Sequence, residues 1–176
     1  ERFHPRAYAR GPQRVVYSNH LSRKKVNKNC QLQKSWVWCE AVEELVKKYI
    51  KGYTLNCPAG LSQLGDVRAD IEPQEEGIVK EDMNKLSFPD NTFDTVISDP
   101  PWKINFFKRQ KPFFECVRIC KVGGTIIYNC TWRPASKYVR LKEVFVRTDA
   151  PWAGISYIWI FEKIADIPKE IVEGGE

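Results

Sequence analysis

Several features that define protein classes are scarce in this sequence. Histidine occurs only twice, and no two cysteines form a Cys-x-x-Cys pair. The ligand pairs of most structural zinc sites are therefore missing, and we expect no metal. The cysteines make up only about 3% of the chain, well below the roughly 8–10% that is typical of a scaffold held by disulfides. Apolar runs such as Ile155–Phe161 are far shorter than the roughly 18 residues of a membrane-spanning helix. We therefore expect a reducing, cytoplasmic location and no membrane segment.

The composition that remains is that of a globular protein. The 176 residues are 43% hydrophobic and 28% charged, which suits one domain with an arm and excludes disorder of the whole chain. The first residue is Glu1 rather than Met, so we expect the sequence to be part of a longer chain.

The positive charge is concentrated at the beginning of the chain. Residues 1–52 contain twelve lysines and arginines against four acidic residues, whereas the net charge of the whole chain is +6. The basic residues are interspersed with Phe3, Tyr8 and Tyr17, a pattern that suits a polyanion with stackable bases. The alternative is a solvated arm that only aids solubility. We predict that the arm contacts nucleic acid, DNA or RNA; the oligomeric state is left open.

Hydrophobic periodicity predicts an α/β domain of alternating strands and helices. We expect a basic arm over residues 1–34, one folded domain over 35–164 and an acidic tail over 165–176. Nearly continuous apolar strands indicate a sheet that is covered on both faces. The predicted helices are Ser35–Gly52, Pro112–Lys121 and a short one at Pro134–Leu141; the predicted strands are Arg14–Tyr17, Tyr53–Cys57, Asp66–Ile71, Gly77–Lys80, Phe93–Ser98, Thr125–Cys130, Val144–Thr148 and Ser156–Glu162.

Ligand-type residues follow the first three strands of this domain. Ligands of such sheets bind beyond the carboxyl ends of the strands. The first strand is followed by a turn of small residues that a ligand can approach closely. Asp70, with Glu72 as an alternative, can accept hydrogen bonds from ribose hydroxyls, and Asp82 with Met83 can read the amino group of an adenine and cover its ring. The turn consists of Asn56, Cys57, Pro58, Ala59, Gly60, Leu61 and Ser62.

The fourth strand ends in the most specific motif of the sequence, Asp99-Pro100-Pro101-Trp102. The two prolines fix the backbone and restrict the residues before them, so that Asp99 is held extended. Its carboxylate and a neighbouring carbonyl can accept hydrogen bonds from an exocyclic amino group, while Trp102 offers a face on which a flipped base can stack. The alternative is a tight corner with a buried tryptophan. We predict that this motif is catalytic.

These residues resemble the class I S-adenosylmethionine-dependent methyltransferases, and within them the amino-methyltransferases that carry a Pro-Pro-aromatic motif. The Asp-Pro-Pro-Trp form is similar to that of N6-adenine methylases. The resemblance extends from about Tyr53 to Lys163 and includes residues 82–94, with an acid after the third strand and Phe-Asp opening the fourth. It implies a Rossmann-like sheet of about seven strands, the last one antiparallel.

The resemblance also implies a role for each of these residues. Residues 56–62 would surround the methionine part of S-adenosylmethionine, Asp70 would bind its ribose, and Asp82 and Met83 its adenine. The target amine would be held by residues 99–102. The sequence departs from the family in its first loop, where Asn56 replaces the usual acid and Gly60 is the only glycine. Only ten residues, Gly60 to Ala69, lead from the glycine of this loop to Asp70, so the first crossover is shortened.

The sequence therefore predicts methyl transfer to an exocyclic amino nitrogen of a nucleic-acid base, with N6 of adenine favoured. One alternative is a methyltransferase for a protein amide or a small amine, although such enzymes often have asparagine at the first motif position. The other alternative is a catalytically silent subunit that binds nucleic acid, which the reduced first loop favours.

Overall fold

The computed structural model describes residues 14–16, 37–101, 108–150 and 154–168. Within these ranges the chain forms two helices and eight strands. Neither helix is long and apolar enough to cross a bilayer. The elements are β1 (Arg14–Val16), α1 (Glu40–Lys47), β2 (Thr54–Asn56), β3 (Val67–Asp70), β4 (Ile78–Lys80), β5 (Phe93–Ser98), α2 (Gln110–Ile119), β6 (Cys120–Cys130), β7 (Val139–Ala150) and β8 (Gly154–Lys163).

All eight strands form one sheet in the order β1-β7-β8-β6-β5-β2-β3-β4. Strands β2 to β6 run parallel to their neighbours within this group, whereas β8 is antiparallel to both β6 and β7. This confirms the predicted Rossmann-like sheet of about seven strands with the last strand antiparallel. The strand predicted near residues 14–17 is β1, which adds an eighth strand by pairing in parallel with β7.

Each face of the sheet carries one helix and one hydrophobic cluster. On the first face, Phe113 of α2 packs its ring 5.2 Å from that of Tyr128 and 5.3 Å from that of Phe161. On the opposite face, Val42 and Val46 of α1 pack on the sheet. These two helices cover the two faces of the sheet, as predicted. We call the two sides the α2 face and the α1 face.

The first crossover, between β2 and β3, contains no helix. Only residues 57–66 join the two parallel strands, and the N–H of Asp66 donates to the carbonyl oxygen of Thr54 at 2.9 Å, which closes the loop. Leu64, 7% exposed, packs in the cluster on the α1 face. A single apolar side chain of the loop thus covers part of the sheet, and the predicted shortened crossover is confirmed.

Two local predictions were wrong. The predicted helix at Pro134–Leu141 does not form: the chain is irregular up to Tyr138, and Val139 begins β7. The N–H of Ile164 donates to the carbonyl oxygen of Tyr138 at 2.9 Å, just beyond the pairing of β7 with β8. Tertiary strand pairing therefore overrides the local helix signal.

The second error concerns residues 120–124, because the predicted helix ended at Lys121 and the next predicted strand began only at Thr125. Strand β6 instead begins at Cys120 and includes Gly123 and Gly124. A Cβ atom on Gly124 would lie 2.7 Å from the Sγ of Cys120 and 2.8 Å from the carbonyl oxygen of Asp94. The glycine is thus required for the close approach of the bent strand to β5, rather than for ending the helix.

Candidate active site

The carboxyl ends of β2, β5 and β6 lie side by side. Strand pairing places Asn56 opposite Ile97 and Ser98 opposite Tyr128, so the residues that follow these strands meet at one edge of the sheet. A small cleft opens at this edge. It is lined by Trp38, Asn56, Pro58, Ala59, Ser62 and Asp99. The structure therefore brings the predicted catalytic aspartate and the predicted cofactor loop to the same cleft.

The loop after β2 is held by its own backbone. The N–H of Cys57 donates to the carbonyl oxygen of Ile97 at 3.0 Å, and that of Ala59 donates to the carbonyl oxygen of Ala69 at 2.9 Å. The Cys57–Pro58 peptide bond is cis. These N–H groups, expected to approach a ligand, are bound within the protein, so the loop presents side chains and small backbone surfaces to the cleft.

Asn56 replaces the acid of related loops and is almost fully buried. Its Nδ2 donates to the carbonyl oxygen of Leu64 at 3.2 Å, which fixes the side chain against the short crossover. An amide has an oxygen acceptor as well as this donor. Asn56 therefore brings an acceptor without a negative charge to the cleft.

Asp70 links the ends of β2 and β3. Its Oδ2 accepts a hydrogen bond from the N–H of Gly60 at 2.9 Å, and its Oδ1 accepts one from the N–H of Glu72 at 3.0 Å. Gly60 has a φ of +52°, the left-handed conformation that turns its N–H toward the carboxylate. Each carboxylate oxygen can accept about two hydrogen bonds. Asp70 therefore shapes the loop and retains the chemistry expected of a ribose ligand, whereas Glu72 contributes its backbone.

Asp82 and Met83 lie farther along the sheet, after edge strand β4. The Oδ1 of Asp82 accepts hydrogen bonds from the N–H of Asn84 at 2.8 Å and from its Nδ2 at 2.7 Å. The Asp82 side chain is exposed, and Met83 is partly buried against the core on the α2 face. The cleft described above does not include these two residues. Their assignment to the adenine of the cofactor stays a prediction.

Asp99 is held by two donors that its motif does not contain. The Nε1–H of Trp38 donates to Oδ2 at 2.5 Å, and Nδ2 of Asn129 donates to Oδ1 at 3.0 Å. Pro100 is buried and Pro101 is exposed. Trp102, predicted to stack on the base, lies outside the described residues.

Sequence reasoning missed Trp38 and Asn129. Trp38 carries no signal of its own, because nothing in the sequence links it to a residue 61 positions later. Asn129 did carry a signal: it is a polar residue in the apolar run Thr125–Cys130. A fully buried asparagine next to a predicted catalytic strand end is a candidate that this signal could have identified.

Burial keeps the cysteines around the site neutral. It raises the pKa of the Cys57 thiol strongly, and it raises the pKa of Cys116 and Cys130 to about 12. A thiol reacts as the thiolate, so none of the three is a nucleophile near neutral pH. The chemistry of the cleft therefore belongs to oxygen and aromatic groups.

A comparison with protein families matches residues 39–128 to the family described as "Methyltransferase domain". The match covers about half of the chain and includes the loop after β2 as well as the whole Asp-Pro-Pro-Trp motif. The chain is a member of the methyltransferase domain family. The expectation of a class I methyltransferase that depends on S-adenosylmethionine is thus confirmed.

Solved structures share the fold. The protein PH0226 from Pyrococcus horikoshii superposes with a TM-score of 0.51 at 19% identity, over 70% of this chain and 88% of its own. TrmN from Thermus thermophilus gives 0.52 at 16% identity, over 70% of this chain and 47% of its own. The N-methyltransferase NodS from Bradyrhizobium japonicum, crystallised with S-adenosylhomocysteine, gives 0.52 at 12% identity, over 70% and 86%. A search of the curated proteins found no match.

The residues of this methyltransferase fit S-adenosylmethionine. The half-buried Asp70 carboxylate can accept hydroxyl donors, and the Asn56 oxygen can accept a hydrogen bond from an ammonium group. Pro58 and Ala59 give the cleft a wall without bulky side chains. The fit rests on hydrogen-bond acceptors rather than on the glycine-rich N–H cradle of related loops.

Proposed function

We propose that this methyltransferase modifies an exocyclic amino nitrogen of a nucleic-acid base, with N6 of adenine as the first candidate. One observation carries the proposal: Asp99 lines the same cleft as the loop after β2. An acceptor for the target amine and the predicted methyl-donor loop are therefore close enough to act on one reacting centre.

The protein's part in the reaction is positioning. When bound, S-adenosylmethionine supplies an electrophilic methyl group. Asp99 accepts a hydrogen bond from the target amine and aligns its lone pair, and an acceptor in a fixed position of this kind lowers the entropic cost of reaction. Asp99 need not be a strong base, because the nitrogen can lose its proton after transfer. The rigid Pro100-Pro101 pair sets the backbone beside the amine, and Trp102 is proposed to stack on the base.

In this proposal the cofactor is held by residues from three strand ends. Asn56 faces the methionine part, Asp70 the ribose, and Asp82 with Met83 the adenine. Support comes from Asp70, whose carboxylate bridges the loop after β2 and the end of β3. The remaining loop residues assigned to the cofactor are Cys57, Pro58, Ala59 and Gly60.

Nucleic acid as the partner is supported by where the basic segment joins the sheet. Val16 of β1 pairs with Phe145 of β7, and Phe145 pairs with Ile158 of β8. Ile158 in turn pairs with Asn129 of β6, which is hydrogen-bonded to Asp99. With strands about 4.8 Å apart, Val16 lies roughly 20 Å across the sheet from Asp99.

The other end of the same segment reaches Asp99 directly through Trp38. Between these two anchors, residues 17–36 contain five lysines and arginines and no acidic residue. A basic segment whose two ends join the sheet and the cleft in this way suits phosphate groups. It gives no similar advantage for a neutral protein amide.

A cytoplasmic location is part of the proposal. Cys39, Cys57, Cys116, Cys120 and Cys130 are free thiols in the described residues, as expected of a protein in a reducing compartment.

The decisive experiment is transfer of radiolabelled methyl from S-adenosylmethionine to duplex DNA, single-stranded DNA, total RNA and bulk protein. We expect label in one nucleic acid, recovered as N6-methyladenine after digestion, and loss of at least about a hundredfold in Asp99→Ala. Glu76→Ala, which removes an exposed carboxylate outside the cleft, is the matched control and should keep full activity.

The other outcomes distinguish the alternatives. Label in protein that depends on Asp99 replaces the proposal with an amide or amine methyltransferase. No label in any acceptor, together with no calorimetric binding of S-adenosylhomocysteine, leaves a silent nucleic-acid-binding subunit as the function. Binding without transfer to any nucleic acid also overturns the base as substrate.

A further inference from the structure

The Asp99 carboxylate is fixed from two separate elements. Trp38, from the segment before α1, donates to Oδ2 at 2.5 Å, and Asn129, near the end of β6, donates to Oδ1 at 3.0 Å. A carboxylate has about four acceptor positions, and these donors take one on each oxygen. Because the donors act on different oxygens, they resist rotation of the carboxylate plane, which a single donor does not.

Asn129 is not explained by packing. Its side chain is fully buried on the α1 face, where Ile127 and Ile158 are its apolar neighbours along and across the strands. Its Oδ1 has no hydrogen-bond partner among the described residues. A buried acceptor without a partner destabilises a protein, and a leucine of similar size would avoid that cost. What the asparagine supplies instead is the donor to Asp99.

Trp38 supplies a donor and a wall at the same time. Its indole is half-buried and lines the cleft beside Asn56 and Asp99. A phenylalanine would provide a similar wall, but it has no N–H to donate. The hydrogen bond to Asp99 is therefore the contribution of Trp38 that phenylalanine cannot make.

We propose that Trp38 and Asn129 are positioning residues that hold the carboxylate of Asp99 in the orientation that receives the target amine. This inference rests on the proposed function of Asp99. It adds two residues from outside the Asp-Pro-Pro-Trp motif, and it makes the segment before α1 part of the catalytic apparatus.

The kinetic test uses Trp38→Phe, which keeps an aromatic ring, and Asn129→Leu, which keeps the approximate volume. The control is Trp159→Phe, which makes the same change in the core of the opposite face, where Trp159 packs against Tyr157 and Phe161. With the acceptor identified in the methylation panel, we expect kcat to fall about ten- to a hundredfold in the first two variants. We expect KM for the acceptor to change by less than about threefold, because the lost interaction acts in the transition state.

A second readout needs no methylation. The indole N–H signal of Trp38 in a ¹H–¹⁵N NMR spectrum, assigned by its loss in Trp38→Phe, should lie downfield and exchange slowly because it is bound to a carboxylate. Asp99→Ala should move it upfield and speed its exchange. Asn129→Leu should move it in part, since the carboxylate then turns more freely, and Trp159→Phe should leave it in place.

The two proposals fail in different ways. Absence of methylation by the wild-type protein overturns the proposed function. A Trp38 signal that Asp99→Ala leaves unmoved overturns the positioning proposal, whatever the protein methylates. An increase in kcat/KM in Trp38→Phe also overturns it, because the indole would then be an obstacle in the amine site.

Discussion

The two halves of the sheet on either side of β5 are built differently. On one side, β2, β3 and β4 contain three, four and three residues. On the other side, β6, β7 and β8 contain 11, 12 and 10 residues, and the three-residue β1 forms the edge. We call these the short half and the long half. The residues assigned to the cofactor lie in the short half, whereas the largest buried aromatic side chains outside β5 pack between α2 and the long half.

This difference separates the source of stability from the source of chemistry. Long strands can bury more apolar surface than short ones, and this burial is the main favourable term in folding. Short parallel strands expose their carboxyl ends within a few residues of each other, so that Asn56 and Asp99 line one cleft. Asp70 holds the loop that follows Asn56 through the N–H of Gly60. The short half therefore needs the long half as its support, and this dependence can be tested.

The largest expected effect is in the core of the long half. Phe113 is fully buried and packs on Tyr128 and Phe161. Phe113→Ala removes these contacts and leaves a cavity, so we expect the free energy of unfolding in denaturant to fall by about 3–5 kcal/mol. Val122→Ala, at a side chain that is 53% exposed in the same half, should change it by less than about 0.5 kcal/mol. A loss below about 1 kcal/mol in Phe113→Ala would contradict the assignment of the main core to this half.

The second prediction compares two cysteines of similar burial, one in the short half and one in the helix α2 that packs on the long half. Cys57 in the short half is 2% exposed and Cys116 in α2 is 3% exposed. Burial raises the pKa of both thiols, so alkylation at pH 8 requires local opening. We expect Cys57 to be modified about thirtyfold faster than Cys116, since fewer packed residues must open, which corresponds to roughly 2 kcal/mol.

Peptide mass spectrometry after timed alkylation of the native protein measures both rates. Exposed Cys39 is the internal standard for a site that needs little opening. Saturating S-adenosylhomocysteine should slow Cys57 and leave Cys116 unchanged. Equal rates at the two buried cysteines would mean that the two halves open together. The halves would then differ in strand length but not in local stability.

The sequence predicted the α/β class and most of its elements because apolar strands, glycine turns and strand-end acids are local patterns, whereas the plan of the sheet was implied by the resemblance to a known family. The strand Phe93–Ser98 was predicted with the bounds that it has in the structure. The Pro134–Leu141 segment was not predictable in the same way, because β8 decides its conformation from a distance.

The residues of the candidate site also differ in whether the sequence could predict them. Asp99 and the loop after β2 were found from motifs, which are contiguous in sequence. The contacts of Trp38 and Asn129 with Asp99 span 61 and 30 residues, and a single sequence carries no record of such pairs. What a motif cannot show is how its functional side chain is held.

The third prediction concerns the carboxylate that joins two strands of the short half. Asp70→Asn keeps the shape of the side chain but removes its charge, and one amide group cannot accept hydrogen bonds at both ends as the carboxylate does from Gly60 and Glu72. We expect calorimetric affinity for S-adenosylhomocysteine to fall about tenfold or more.

The matched control for this change is Asp66→Asn. Asp66 also accepts one backbone hydrogen bond, from Thr54 at 2.8 Å, but it precedes β3 and so lies at the opposite edge of the sheet. Asp66→Asn should leave the affinity unchanged. Equal losses in the two variants would point to a general loosening of the short half rather than to a role of Asp70 at the ligand.

The smallest expected effect is at the surface of the long half. The pKa of Glu162 is lowered by hydrogen bonds from Arg140 at 2.9 Å and from Lys142 at 3.1 Å. A carboxyl whose pKa is lower in the folded state stabilises the fold above its unfolded pKa, and this contribution is lost as pH falls through the folded pKa. Because all three side chains reach solvent, Glu162→Gln should cost less than about 1 kcal/mol at pH 7.

Denaturant unfolding of wild type and Glu162→Gln at pH 7 and pH 3 measures this small difference, which should shrink at pH 3 and in high salt. A difference that persists at pH 3 would show that the glutamine acts through packing on β8 instead of through charge. A difference above about 2 kcal/mol would place part of the stability of the long half in its charged surface, and the buried aromatic cluster would then be only one of its two supports.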